Sequence, residues 1–170
     1  MDPVEKQRNV ELAAKLLSEQ NFLAAFIAGA VAMTLSAAAY GIVKSLSEGF
    51  YLFYSIAAAG IGVVIGFTMQ FLGRGINKRF AVVAAVYALL GCMLGNLFAV
   101  VMDIARATGV SPLDLLLTTE TSTLYDWMFR NLHAADLMFW FMGVGAAAYF
   151  SRRALSREQM LALYAYRMKQ

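Results

Sequence analysis

The chain is poor in the residues that catalytic and metal centres use, with one cysteine and one histidine among 170 residues. Cys92 alone can form no disulfide within the chain, so cysteine content does not indicate a redox compartment. His133 has no second His or Cys at metal-ligand spacing, and a pair of histidines for heme is missing from the sequence. The sequence also shows neither a serine with a base partner nor paired carboxylates. We therefore expect no enzyme active site, no metal and no cofactor.

Prolines and charged residues are scarce as well. Charged residues make up 15% of the chain and hydrophobic residues 61%, whereas soluble domains have about 25% charged residues. A helix needs roughly 20 apolar residues to cross the hydrocarbon core of a bilayer. Four runs approach or exceed that length: residues 22–43, 51–72, 80–102 and 134–151. The sequence thus predicts an all-α integral membrane protein built as a four-helix bundle.

The lysines and arginines are distributed unevenly about these runs. Eleven of the fourteen lie before the first run, between the second and third, or after the fourth. Because cytoplasmic loops of membrane proteins are enriched in Lys and Arg, both termini are predicted to be cytoplasmic, with residues 44–50 and 103–133 outside. Because these cations are distributed according to the side of the membrane, they do not indicate nucleic-acid binding. We divide the chain into a cytoplasmic amphipathic helix at 1–21, a four-span membrane domain at 22–153 and a basic cytoplasmic tail at 154–170.

The N-terminal segment has the apolar spacing of an amphipathic helix. Pro3 suits a first helical turn, and Val10, Ala13, Ala14 and Leu17 recur every three or four residues. Such a helix lies on the cytoplasmic lipid surface or continues into the first span, and partner binding is the alternative.

Small residues recur at helical intervals within the apolar runs. Lipid-solvated helices gain no hydrophobic energy from association, so close backbone approach through small residues is a main source of packing energy. The residues expected at helix contacts are Ala58, Gly62, Gly66, Gly91, Gly95 and Asn96. These faces would suit a tight bundle or a homo-oligomer of bundles.

The stretch "GRGINKRF" at residues 73–80 separates the second and third runs. Gly73 and Gly75 are placed to end one helix, and Asn77 is placed to cap the next. A phosphate-binding loop would need its glycines after a strand, whereas the glycines before Gly73 lie inside an apolar run. The cations expected to contact anionic lipid headgroups are Arg74, Lys78 and Arg79. A structural turn with a topology signal and a specific lipid or substrate site both remain open.

The long connection 103–133 is predicted to form a helical hairpin on the outer membrane surface. Ser111 before Pro112 indicates one helix start, and Thr123 with Asp126 indicates a second. Three aromatic residues, Tyr125, Trp127 and Trp140, are expected at headgroup level. The external interaction surface is predicted to comprise Tyr125, Trp127, His133 and Asp136.

Ionisable residues deep in a membrane are candidates for function. Here none of the charged residues falls near the centre of a run, and Asp103 and Asp136 are expected at outer helix ends where a carboxylate reaches water. This placement argues against a proton-coupled or ion-coupled transporter. His133 is interpreted as an interfacial hydrogen-bonding residue.

The unit "IGVVIGFTMQFLGRGINKRFAVVAAVYALLGCMLGNL", residues 61–97, resembles a family of uncharacterised small bacterial inner-membrane proteins. Its members share a glycine-spaced helix, a Gly-Arg/Lys-Gly turn, a following Phe and a Gly-Cys-x-x-Gly-Asn segment. The resemblance implies four spans in a bacterial inner membrane and assigns no catalytic residues.

These features favour an accessory or interaction subunit of a membrane complex, with membrane lipids and other membrane subunits, or further copies of the chain, as partners. The alternative is a small oligomeric channel or transporter, with Asn96, Gln70 and the hydroxyls of Thr34, Ser36, Ser55 and Thr68 lining a pathway. An intramembrane enzyme would need His133 and Asp136 to converge with a group from another chain.

Overall fold

The computed structural model describes residues 3–47, 51–129 and 132–168, and these are all-helical, with no strand among them. The predicted all-α class is therefore confirmed. In chain order the helices are α1 Pro3–Ser18, α2 Phe22–Leu46, α3 Tyr51–Gly73, α4 Lys78–Thr108, α5 Pro112–Thr118, α6 Thr121–Phe129, α7 Ala134–Phe150 and α8 Arg157–Arg167. Three of them, α2, α3 and α4, are long and apolar enough to cross a membrane. The fourth apolar run forms α7, which has 17 residues.

Local sequence explains several helix boundaries. The Asn21 side chain accepts a hydrogen bond from the backbone N–H of Ala24 at 2.9 Å, which caps α2. Gly109 ends α4 with a φ of 72°, a left-handed conformation that glycine adopts without penalty. Asn77 and Ser111 occupy the predicted N-cap positions of α4 and α5, but neither side chain makes a capping hydrogen bond. The helix predicted to begin near Thr123 is α6.

The four longest apolar helices pack together around one core. α2 packs on α3 and α4, and α7 also packs on these two helices. α3 and α4 contact each other as well. The core is filled by buried apolar side chains, among them Ile61, Ile65, Met69, Ala84, Ala88 and Cys92. The space between these helices is therefore occupied by protein.

The terminal helices form a second, smaller cluster. Ala13 and Leu16 of α1 are buried against Ala162 and Leu163 of α8. On the predicted apolar face of α1, Ala13 is buried whereas Ala14 is exposed. The apolar side of α1 thus has a partner within the chain, and residues 154–170 contain a helix that supplies it.

Backbone hydrogen bonds tie the loops together at one end of the helices, which we call the Gly73 end (residues 19–21, 70–80 and 151–155). The N–H of Asn21 donates to the carbonyl of Gly73 at 2.9 Å, and the N–H of Arg153 donates to that of Gly75 at 2.8 Å. The start of α2, the α3–α4 turn and the end of α7 are therefore held side by side. The opposite end, where α2 finishes and α7 begins, is the Lys44 end.

Candidate functional site

A buried polar cluster lies at the Lys44 end, where residues of three helices meet. The Lys44 Nζ donates a hydrogen bond of 2.7 Å to the Asn96 Oδ1 and lies 3.4 Å from the Asp136 Oδ2. The side chains of Lys44 and Asp136 are 11% and 1% exposed, and Asn96 is fully buried. We call Lys44, Asn96 and Asp136 the polar cluster.

The positions of Lys44 and Asp136 at helix ends stabilise their charges. Lys44 lies in the last turn of α2, where the partial negative charge of the helix dipole stabilises a cation. Asp136 lies in the first turn of α7, where the dipole stabilises an anion, and its Oδ2 accepts a hydrogen bond from the backbone N–H of His133 at 3.1 Å. Both charges are therefore supported by their own helices as well as by each other.

Asn96 connects the polar cluster to the connection between α4 and α7. Its Nδ2 donates a hydrogen bond to the carbonyl of Met128 on α6, while its Oδ1 accepts from Lys44. The ring centroid of Tyr40, one turn before Lys44 on α2, lies 6.0 Å from the Nζ, within cation–π range. The polar cluster thus links α2, α4, α6 and α7.

Further polar groups surround the polar cluster, of which Ser45 is buried whereas Asp103 and Arg106 are exposed. The Ser45 hydroxyl donates to the Asp103 Oδ1 at 2.8 Å, and the Arg106 Nη1 donates to the Ser45 carbonyl at 2.8 Å. The His133 Nδ1 lies 3.7 Å from the Asp136 Oδ2, and the His133 side chain is half exposed. The two contacts of Ser45 attach the end of α2 to the part of α4 that extends past it.

The polar cluster corrects two expectations from the sequence. Asp136 was expected to reach water and to belong to an external surface, but it is buried, because α7 packs on α3 and α4 and its first turn lies beside Lys44. Lys44 was assigned to the external connection, but α2 continues to Leu46 and includes it. A buried asparagine needs a hydrogen-bonding partner. Asn96, which is flanked by apolar and small residues in the sequence, therefore indicated that a polar residue of another helix faces it.

Glycines of α3 form its contact with α7. A Cβ atom at Gly62 would overlap the carbonyl of Gly143, and one at Gly66 would lie 2.8 Å from the Phe150 Cβ. Ala58, one turn before Gly62, is fully buried. These three predicted packing residues therefore lie where α3 meets other helices.

The predicted glycines of α4 lie against α2 and α3. A Cβ atom at Gly95 would overlap the Tyr40 ring, and one at Gly91 would lie 3.0 Å from the Ile61 Cγ2. Not every glycine in the apolar helices lies at such a contact. At Gly60 and Gly145, an added Cβ would meet no described atom within 4 Å.

The cations predicted to contact lipid headgroups lie at the Gly73 end. Lys78 and Arg79 are exposed at the start of α4. The Arg74 Nη1 lies 3.8 Å from a carboxylate oxygen of Glu19, which also accepts a 2.9 Å hydrogen bond from the Arg153 Nη1. One carboxylate is therefore shared between two guanidinium groups.

The residues predicted for the external surface separate in the structure. Tyr125 is exposed on α6, Trp127 is half-buried and His133 is exposed, whereas Asp136 belongs to the polar cluster. Trp140, for which a position at headgroup level is predicted, is buried in the core cluster. Leu113 and Leu117 of α5 are among the exposed apolar side chains.

Among the residues with described side chains, no three His, Cys, Asp or Glu lie together as a metal site requires. Comparisons of the chain with protein-family models, with curated proteins and with solved structures found no match.

Proposed function

We propose that this protein is an accessory or interaction subunit of a membrane complex, with α2, α3, α4 and α7 crossing the bilayer as a four-helix bundle. At 1.5 Å per residue, the 17 residues of α7 extend about 25 Å, close to the lower limit for a spanning helix. Its packing on both α3 and α4 supports a position among the spanning helices.

The orientation follows from the charges at the Gly73 end. The exposed cations there include Arg74, Lys78, Arg79 and Arg152, and α1 and α8 adjoin the same end. Cations are enriched on the cytoplasmic side of membrane proteins, so we place this end and both termini in the cytoplasm. The resemblance of residues 61–97 to small bacterial proteins supports an inner-membrane location.

The positions of Asn96 and Gln70 favour a packing subunit over a channel. A channel needs its polar side chains on one pathway, but Asn96 is bonded within the polar cluster at the Lys44 end. Gln70 lies at the Gly73 end, where its Nε2 donates to the carbonyl of Arg152 at 3.2 Å. The two amides are therefore bound at opposite ends of the helices, and buried Ile65 and Met69 fill the core. This geometry supports a protein that packs through its surfaces.

Hydroxyl groups within the helices support the same choice. The Thr34 hydroxyl donates to the carbonyl of Ala30 at 3.0 Å, and the Thr68 hydroxyl donates to that of Val64 at 2.8 Å. These hydroxyls are satisfied by their own helix backbones, as is common for Ser and Thr in apolar helices.

The external helices offer the surface for a partner. α5 and α6 pack on α4, and they leave Leu113, Leu117 and Tyr125 exposed. Large apolar side chains at the end of a membrane protein are expected to be covered by a partner or by the bilayer surface. We assign this surface, the α5–α6 surface, to the partner subunit.

Site-specific photocrosslinking in cells of the native host tests this function. A photoreactive residue at Leu117 or Tyr125 is expected to give one discrete adduct, identified by mass spectrometry as another membrane subunit. Phe141 of α7 is the matched control, because it is equally apolar and exposed but lies on a helix that would face lipid. Adducts only between copies of the chain would favour the oligomeric channel. Equal, diffuse labelling from all three positions would contradict a docking role.

A further inference from the structure

A surface cavity of about 440 Å³ lies at the Gly73 end, between the ends of α3 and α7 and the beginning of α8. The residues that define its character are Phe67, Gln70, Tyr149, Phe150, Arg152 and Leu155. It combines an aromatic wall on the membrane helices with two arginines, Arg152 and Arg153, on the cytoplasmic side.

The aromatic wall consists of three rings from two helices. The rings of Phe67 and Phe150 are stacked with their centroids 4.7 Å apart, and Tyr149 meets Phe150 edge to face at 5.1 Å. Phe67 and Tyr149 remain 47% and 71% exposed, so the wall is open to a ligand. It continues onto the apolar surface of α3 and α7.

Arg152 and Arg153 form the charged side of the cavity, and Arg152 is the one placed to bind an anion. Its backbone is held in place because its carbonyl accepts the hydrogen bond from the Gln70 Nε2. Its side chain is exposed, and its guanidinium makes no ion pair with any described residue. The neighbouring Arg153, by contrast, is bound to Glu19 at 2.9 Å.

The local charge is positive even after the ion pairs are formed. Glu19 contacts both Arg74 and Arg153, so one negative charge is set against two positive ones before Arg152 is counted. A guanidinium recognises phosphate through charge-assisted hydrogen bonds, and basic groups at the cytoplasmic surface attract anionic lipids.

We propose that this cavity binds one anionic phospholipid of the cytoplasmic leaflet. The phosphate contacts Arg152, and an acyl chain lies along Phe67, Phe150 and Tyr149. A free phosphate would use the arginine and leave the aromatic wall unused, so the wall favours a lipid. The inference rests on the membrane placement given under the proposed function.

Native mass spectrometry of the full chain in detergent, after delipidation, tests this site. Titration with phosphatidylglycerol is expected to show one tight binding event, and phosphatidylcholine of the same chain length is expected to bind more weakly. Arg152→Gln should weaken phosphatidylglycerol binding about fivefold, as expected for one cation near the surface. Arg157→Gln is the matched control, because it removes an exposed charge of α8 that does not line the cavity.

Equal phosphatidylglycerol binding by the two variants, or equal binding of the two lipids by the unsubstituted chain, would overturn the proposal. Glycerol phosphate without acyl chains separates the two sources of phosphate, and binding as tight as that of the lipid would assign the site to a free anion instead. Flotation with vesicles tests the membrane placement separately. A chain that floats but shows no preference for the anionic lipid lacks this site, whereas a chain that does not float contradicts the proposed function itself.

Discussion

The Lys44 Nζ lies 3.4 Å from the Asp136 Oδ2, and this ion pair joins α2 to α7. The two helices pack mainly on α3 and α4, so the pair connects them across the helix group. Removing two charges from water is costly, and their attraction compensates only where other hydrogen bonds complete the arrangement. Asn96 and the backbone of His133 supply those bonds.

Breaking the pair from one side should destabilise the fold. Lys44→Met or Asp136→Asn alone leaves one buried group without its charged partner, which costs about 3 kcal/mol or more. The double variant should lose less than the sum of the single variants, with a coupling of about 1–3 kcal/mol. Chemical unfolding in detergent measures all three, with Lys78→Met as the control at an exposed lysine. Strict additivity would show that the pair does not interact.

Two neighbouring glycines of α3 should respond differently to the same substitution. Gly62→Ala places a Cβ against the carbonyl of Gly143, and such overpacking costs about 1–3 kcal/mol. Gly60→Ala meets no described atom within 4 Å, so it should be neutral or slightly stabilising through helix propensity. Thermal unfolding of the two variants makes the comparison. Equal melting temperatures would contradict a close α3–α7 contact.

Asn96→Ala should loosen α6. The substitution removes the hydrogen bond to the carbonyl of Met128, and it also removes an acceptor from Lys44. We expect amide hydrogen exchange across Thr121–Phe129 to become about tenfold faster, since a hydrogen bond to such a buried group contributes roughly 1–2 kcal/mol. Gln70→Ala removes an amide at the Gly73 end and serves as the control. Unchanged exchange of α6 in Asn96→Ala would show that packing alone holds it.

Labelling in intact cells tests the orientation. With Cys92→Ala as the background, Arg79→Cys should be unreactive toward an impermeant thiol reagent, and Glu120→Cys should react. Both positions are exposed in the structure, so burial cannot explain a difference. Permeabilised cells provide the control, in which both cysteines should react. The reverse pattern in intact cells would show that the protein has the opposite orientation.

The contact between α1 and α8 can be tested with two leucines of α8. Leu163 is buried against α1, whereas Leu161 is exposed. Leu163→Ser should cost about 2 kcal/mol or more and make the terminal helices sensitive to protease, while Leu161→Ser should have little effect. Limited proteolysis followed by mass spectrometry measures this. Cleavage at equal rates in both variants would show that the two helices do not protect each other.

The sequence alone determined the helical class and the positions of the apolar helices, because helices that cross a bilayer require long stretches of apolar residues. It also indicated Gly62, Gly95 and Asn96 as residues of helix contacts. The four-residue spacing selected Gly62 and not Gly60, but it could not identify α7 as the helix that lies against Gly62.

Only the tertiary structure brought Lys44, Asn96 and Asp136 together, and it did so from positions 52 and 92 residues apart along the chain. Each of these residues, taken alone, has the character of a helix end or an isolated polar position. Their burial as one cluster depends on where α2 ends relative to α4 and α7. Apolar periodicity identifies helices, but the packing of distant helices sets which polar groups meet and which remain in water.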